Sequence, residues 1–408
     1  ISLGLVGSEM CIRDSMNTEN TAPRSPDPHT RALSQAGVSL WLDDLSRTRL
    51  QNGDLANLVT TRQISGVTTN PTIFQKALTD AEAYLPQLQE LAARGTDAAT
   101  AVHELTCRDV AQAADVLAPV HERTGGRDGF VSIEVDPRLA QDPSATVTQA
   151  QRLAAAIDRE NLMVKIPATQ ACLPAITEVL AAGISVNVTL IFSLPRVREV
   201  VNAWLAGLER ARTAGRDLRR IHAVASLFVS RVDTEVDTRL RRLGADESLF
   251  RGAGLANARL AHRIIVESAQ TERWRLLAAA GAPALRPLWA STSVKDPALP
   301  ADAYVSGLAA PNTVITLPEA TLHAVAEHGV RLPAADADAR AVGYAAADAH
   351  LDAVGRAGVD YSDVVDTLEG AGIAAFVAAW EAMLDTAEQG LARARGEASG
   401  PSDSPAAS

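Results

Sequence analysis

Short runs in which apolar and polar residues alternate recur along the chain, separated by longer alanine-rich amphipathic stretches. In residues 130–136, Val131, Ile133 and Val135 fall on one side, and Ser132, Glu134 and Asp136 on the other. In 162–166, Leu162, Val164 and Ile166 oppose Met163 and Lys165. In 185–190, Val186, Val188 and Leu190 oppose Ser185, Asn187 and Thr189; in 38–43, Leu40 and Leu42 oppose Ser39, Trp41 and Asp43. A two-residue period is that of a β-strand. Further runs at 66–70, 223–230, 286–291 and 313–317 bring the expected strands to eight. The intervening segments, such as 146–157, 174–182, 194–211 and 319–327, read as helices. Strand–helix alternation predicts right-handed crossovers and a parallel sheet, and eight strands fit a closed (β/α)8 TIM barrel with additional helices. An antiparallel sheet with one wet face would alternate in the same way, but here helices follow the strands and cover their apolar sides. The polar sides then converge on the interior. There they must satisfy one another or line a wet cavity, because an unpaired buried polar group costs a few kcal/mol.

Composition narrows the class. With 408 residues, 47% hydrophobic and 21% charged, the chain can bury a large core and is neither disordered nor a disulfide-stapled miniprotein. Residues 1–15 resemble a translated sequencing-adapter artefact, which makes Met16 the expected start, and residues 17–36 are rich in Pro, Ser, Thr and Asn. The expected boundaries are therefore a flexible leader over 1–37, the barrel with its C-terminal helices over 38–390, and a disordered tail over 391–408. Within 341–390, an alanine-rich helical segment with Tyr361, Phe376 and Trp380 as buried aromatics is expected to pack over the barrel and close its site.

The net charge of −11 argues against nonspecific binding to nucleic acid or anionic membranes. No uninterrupted apolar run approaches the roughly 18 residues of a membrane span. Cys11, Cys107 and Cys172 are far apart and form no CxxC, which fits a reducing cytoplasm. No HExxH, zinc spacing, Walker A loop or strand-borne GxGxxG occurs, so neither metal nor cofactor is expected.

Lys165 is the sharpest chemical signal. A lysine between Val164 and Ile166 in a buried strand either reaches solvent, pairs with a carboxylate, or serves as a nucleophile. Desolvation frees an amine's lone pair to attack a carbonyl, and the protonated imine so formed stabilises the carbanion left by C–C cleavage. Glu134 and Asp43, on other strands and pointing inward, suit general acid/base work or an ion-pair network around that lysine. Asn70, Asn187 and Thr189 suit hydrogen bonds to substrate hydroxyls or to water. Asn70 before Pro71 is equally a helix cap, and Asn187 and Thr189 fit equally a side-chain ladder inside the barrel. Arg231 after the sixth strand, with Ser291 and Lys295 after the seventh, would form a phosphate site where barrels often place one.

The segments SLWLDDLSR (39–47), SGVTTNPTIF (65–74), GFVSIEVDPRLA (129–140), NLMVKIPAT (161–169), GISVNVTLIFS (183–193), VASLFVSRVDTEVD (224–237) and PLWASTSVKDP (287–297) resemble those of transaldolases, in the longer form found in bacteria including actinobacteria. The resemblance implies a cofactor-free, cytoplasmic (β/α)8 enzyme of the pentose phosphate pathway, a monomer or homodimer. It would move a dihydroxyacetone unit from sedoheptulose 7-phosphate or fructose 6-phosphate to glyceraldehyde 3-phosphate or erythrose 4-phosphate. By motif, Lys165 would be the Schiff-base lysine, Glu134 the acid/base acting through a water, Asp43 its assistant and Thr189 the residue that orients the water. Asn70, Asn187, Ser226, Phe228 and Arg231 would contact substrate. The chain departs from shorter members of the family at Leu227, where they carry proline, and after Ser291, where Lys295 stands in for a nearby arginine. A related aldolase that releases dihydroxyacetone, or a catalytically silent barrel that only binds, are the alternatives.

Overall fold

A computed structural model describes residues 26–332 and 337–397. Eight parallel strands close into a barrel in chain order: β1 (Ser39–Leu42), β2 (Ile64–Thr68), β3 (Phe130–Glu134), β4 (Leu162–Pro167), β5 (Val186–Ile191), β6 (Ala223–Phe228), β7 (Arg286–Ala290) and β8 (Val314–Leu317). Every neighbouring pair is parallel, including β1 with β8, so no strand edge is left open. The expected (β/α)8 barrel is the fold observed.

The alternation read from the sequence divides two apolar cores. Leu40, Leu42, Val131, Ile133, Val164, Ile166, Val186 and Val188 point outward and join the helices in one large cluster. Trp41, Phe130, Met163, Val224, Leu288 and Val314 belong to a second cluster and fill the N-terminal half of the barrel. The polar residues that face a cavity therefore lie toward the C-terminal ends of the strands, above a packed apolar plug. Asp128, just before β3, ties that end together. It accepts from Ser39 Oγ at 2.6 Å, from Trp41 Nε1 at 3.2 Å and from Arg286 Nη1 at 3.2 Å. These buried hydrogen bonds link the ends of β1 and β7 to the start of β3. Gly66 makes room for the plug: a Cβ there would lie 2.5 Å from the Trp41 indole.

Three segments differ from the sequence expectation. β2 ends at Thr68 rather than residue 70, because Asn70 turns out of the strand to cap the helix Pro71–Leu78, its Oδ1 accepting from Ile73 N–H at 3.0 Å. The expected flexible leader contains the helix Pro28–Gln35, capped by Asp27 and held by buried Leu33 and by His29 Nδ1 against the carbonyl of Ala326 at 2.8 Å. The expected tail begins inside the helix Tyr361–Ala394, which continues through Ala394. Residues 1–25 and 398–408 lie outside the described residues.

The helix Tyr361–Ala394 is 34 residues long and contains an 18-residue window of mean hydropathy 1.2, long and apolar enough to cross a membrane by those measures alone. It lies instead against the barrel, with Phe376, Met383, Ala387 and Leu391 buried. Phe376 and Gly372 sit over the C-terminal ends of the strands, where Gly372 approaches Leu190 of β5.

Gly66→Ala should destabilise the protein by about 1–3 kcal/mol, the usual cost of overpacking a full core. Urea unfolding at neutral pH checks this; an unchanged midpoint would show that the indole can move aside.

Candidate active site

Strand register sets the central geometry. Glu134 of β3 and Asn187 of β5 are the register partners of Lys165 on β4, so the three start at one level of the barrel. Lys165 Nζ lies 3.2 Å from Glu134 Oε2 and donates to the carbonyl of Thr69 at 2.7 Å. Both side chains are buried. Thr189 is one strand period above Asn187, opposite Pro167. Its hydroxyl is buried without a hydrogen-bond partner. The residue after it, Leu190, has φ 57°, and the β5–β6 register shifts between Val188 and Ile191. A bulge of this kind re-aims a neighbouring side chain and is common beside active sites. Here it coincides with the turn of Thr189 toward the cavity.

A cavity of about 260 Å³ opens at this level, lined by Asp43, Thr68, Asn70, Lys165, Thr189, Ser226, Phe228, Arg231, Ser291, Lys295, Thr316 and Phe376, among others. Asp43 accepts a hydrogen bond from Thr68 Oγ1 at 2.6 Å. Burial pushes the Asp43 carboxyl above the usual carboxylate range, against the opposing pull of Thr68, Lys165 and Arg231. Burial likewise raises Glu134, with Lys165 opposing and Asp43 adding to the rise. Two carboxyls with raised proton affinity beside one amine are equipped to take up and return protons.

The opposite rim is cationic. The Arg231 guanidinium carbon stands 5.0 Å from the centroid of the Phe228 ring, and burial lowers its pKa while Asp43 raises it. Phe228 packs edge-on against Phe192, with ring centroids 5.4 Å apart. Lys295 is exposed at the mouth. Among the described residues, neither cation forms an ion pair. Ser291, with φ 55°, holds its hydroxyl 2.9 Å from that of Ser230. A guanidinium, an ammonium and two hydroxyls form a donor set suited to a phosphate.

The structure brings together most of the residues singled out from sequence. Asn70 takes both of its readings, since Oδ1 caps a helix while the residue also lines the cavity. Asn187 stands apart: its amide donates to Ser132 Oγ at 3.1 Å and accepts from Ser226 Oγ at 2.6 Å, a ladder across the barrel beneath the cavity. Asp136 leaves the inward face and caps the turn Pro137–Leu139, where it pairs with Arg138. Thr68 and Thr316 were missed. The inward period of β2 passes through Thr68, but a threonine in a strand carries no chemical signal until its partner is known.

Comparison with known proteins agrees with this geometry. Residues 40–387 match the family described as Transaldolase/Fructose-6-phosphate aldolase. A transaldolase of Thermobifida fusca is 57% identical over 362 residues, 88% of this chain and 97% of the relative. Transaldolase 1 of Streptomyces coelicolor is 56% identical over 362 residues, 88% of this chain and 94% of the relative. A transaldolase of Acidothermus cellulolyticus is 53% identical over 366 residues, 90% and 97% of the two chains.

The raised pKa of Asp43 carries a sign for stability. Folding favours its protonated form, so its contribution is fully present below the unfolded pKa and is lost as pH rises through the folded value. Asp43→Asn, neutral at every pH and still able to accept from Thr68, should raise the melting temperature at pH 8. The gain should shrink as pH falls to about 4, the ordinary carboxylate value. Thermal scans of both proteins across that range check it; a wild type more stable at pH 8 would mean that Lys165 and Arg231 outweigh burial.

Proposed function

The chain belongs to the transaldolase/fructose-6-phosphate aldolase family, and we propose that Lys165 carries the Schiff base through which it transfers a dihydroxyacetone unit between sugar phosphates. The observation that carries the assignment is the Lys165 amine, buried inside the barrel 3.2 Å from Glu134, in a cavity shared with Asp43 and Thr189.

The proposed sequence begins with attack of Nζ on C2 of sedoheptulose 7-phosphate or fructose 6-phosphate. The carbonyl oxygen leaves as water, and a protonated imine remains. Glu134, acting through a water held by the unpartnered hydroxyl of Thr189, takes the proton from the C4 hydroxyl. The C3–C4 bond breaks and its electron pair passes into the C2–nitrogen system, leaving an enamine on Lys165. The aldose departs, and glyceraldehyde 3-phosphate or erythrose 4-phosphate takes its place. The enamine carbon attacks the aldehyde, the proton returns to the new hydroxyl, and water hydrolyses the imine. Asp43 assists these proton transfers from the opposite side of the amine. Arg231, with Lys295 and Ser291, holds the phosphate, while Asn70, Ser226 and Phe228 contact the sugar. Asn187 contributes through the ladder it forms with Ser226. Neither metal nor cofactor enters this route. In this reading residues 38–390 are one catalytic unit, acting in the cytoplasm as a monomer or homodimer.

Borohydride reduction in the presence of fructose 6-phosphate should fix one dihydroxyacetone-derived adduct on Lys165, read by peptide mass. Lys165→Ala should lose both adduct and turnover while keeping its circular dichroism; transferase activity in that variant would refute the assignment. Adding erythrose 4-phosphate before reduction should empty the adduct into sedoheptulose 7-phosphate. Release of free dihydroxyacetone alone would identify simple aldol cleavage instead.

Arg231→Ala should raise KM for phosphorylated substrates about 10- to 100-fold, the scale of a lost charge-assisted hydrogen bond. An unchanged KM would place the phosphate elsewhere.

A further inference from the structure

The Thr316 hydroxyl, on β8, lies 2.5 Å from that of Thr68, on β2, and Thr68 donates to Asp43 Oδ1 at 2.6 Å. Closure of the barrel creates this contact. β1 sits between β2 and β8, with Leu42 opposite both Val67 and Leu317, so Asp43, Thr68 and Thr316 meet where the last strand joins the first. The Asp43 N–H donates to the carbonyl of Leu317 at 2.8 Å and holds that level in place. Both threonines are buried, and both face the cavity.

The direction of the chain follows from counting protons. A hydroxyl has one, and Thr68 gives its own to Asp43 Oδ1. With Thr68 committed to Asp43, the proton between the two threonines belongs to Thr316. The bonds therefore run one way, from cavity wall to carboxylate, and each donor polarises the next. Thr316 oxygen is left to accept from the cavity, so it matches a hydroxyl of a ketose rather than a carbonyl.

Resting on the reading that Asp43 works as an acid/base, we propose that Thr316 is a positioning residue: through Thr68 it orients the Asp43 carboxyl and opposes the effect of burial on it, and it presents an acceptor to a substrate hydroxyl. The charged groups facing Asp43 are Lys165 from β4, Arg231 from the helix Ser230–Leu243, Glu134 from β3 and the adjacent Asp44. Their charges oppose one another. The threonine chain is the neutral contact that reaches the carboxylate directly, and β1, β2 and β8 hold it at a fixed place.

The test compares Thr316→Val, which keeps the shape and removes the hydroxyl, with Thr316→Ser, which keeps the hydroxyl. Both are assayed with fructose 6-phosphate and erythrose 4-phosphate across pH, beside Asp43→Asn. Thr316→Val should lose about three- to tenfold in kcat, the scale of one neutral hydrogen bond. The acid limb of its profile should move to higher pH, because the ionised carboxylate is held less well, and KM for the acceptor should stay near the wild-type value. Thr316→Ser should restore both rate and profile. A valine variant whose profile superimposes on wild type overturns the proposal, as does a serine variant no better than valine. If Asp43→Asn itself keeps the wild-type profile, the acid/base reading of Asp43 falls and this inference falls with it. If Asp43→Asn removes the acid limb while Thr316→Val leaves it untouched, only the role of Thr316 is lost.

Discussion

An amine beside a carboxylate inside a closed ring of strands is the constraint around which this molecule is arranged. Lys165 and Glu134 both lie out of bulk water. Burial of two such groups is unfavourable unless their geometry and remaining hydrogen bonds are well satisfied. The barrel meets that need in part by register: β3 and β4 pair so that the two residues are opposite one another, and the Thr69 carbonyl accepts a hydrogen bond from the amine, while Glu134 Oε2 is left without a hydrogen-bond partner. A slip of one residue would send Lys165 into the apolar helical layer, since a strand's side chains alternate faces. The lower plug of Trp41, Phe130, Met163, Val224, Leu288 and Val314 opposes such a slip, because it would move these apolar side chains out of their shared cluster.

The backbone carries its own cost at the same end of the barrel. Leu190 and Ser291 both adopt left-handed φ values, unusual for residues with a Cβ; Ser291 lines the cavity, and Leu190 follows Thr189, which does. Strain of this kind persists only where packing over-determines it. At Leu190 the packing is visible: the side chain is buried, and Gly372 of the last long helix comes close enough that a Cβ there would lie 3.0 Å from it. The C-terminal helix therefore does more than roof the barrel. It packs against the bulge beside Thr189 and supplies Phe376 to the cavity wall. The segment expected to pack over the barrel is thus structurally continuous with the site.

The parts of this arrangement that were legible in the sequence share a physical reason. A two-residue period reveals which side chains face inward, and a lysine or glutamate on that face is conspicuous because it is costly there. Hence Lys165, Glu134 and Asp43 are conspicuous in the pattern, whereas Thr189 is merely polar and inward and takes its expected role from the family resemblance. Strand ends were less legible. Asn70 is compatible with strand, cap and cavity, and only the helix that follows decides that its Oδ1 is a cap. Thr68 and Thr316 were invisible because a threonine is an ordinary strand residue, and their significance arises from a contact between β2 and β8 that sequence separation conceals. The helix Pro28–Gln35 was hidden by composition: its Pro and Ser suggest a loose leader, whereas the Asp27 cap and the seat of Leu33 in the core decide otherwise.

The same logic explains how an acidic protein can receive an anionic substrate. A net charge of −11 repels phosphates at long range, but that field is screened within about 10 Å at moderate salt. What matters at the mouth is local. Many arginines elsewhere are paired, such as Arg47 with Asp109 and Arg286 with Asp128. Arg231 leans on an aromatic ring and Lys295 stands at the rim, both without an ion-pair partner among the described residues. Burial disfavours an isolated guanidinium, as the lowered proton affinity of Arg231 reflects, so in the proposed function a substrate phosphate held there would relieve a cost that the folded protein already carries. Asp43 limits that cost from within the cavity, where its charge raises the proton affinity of Arg231 against burial.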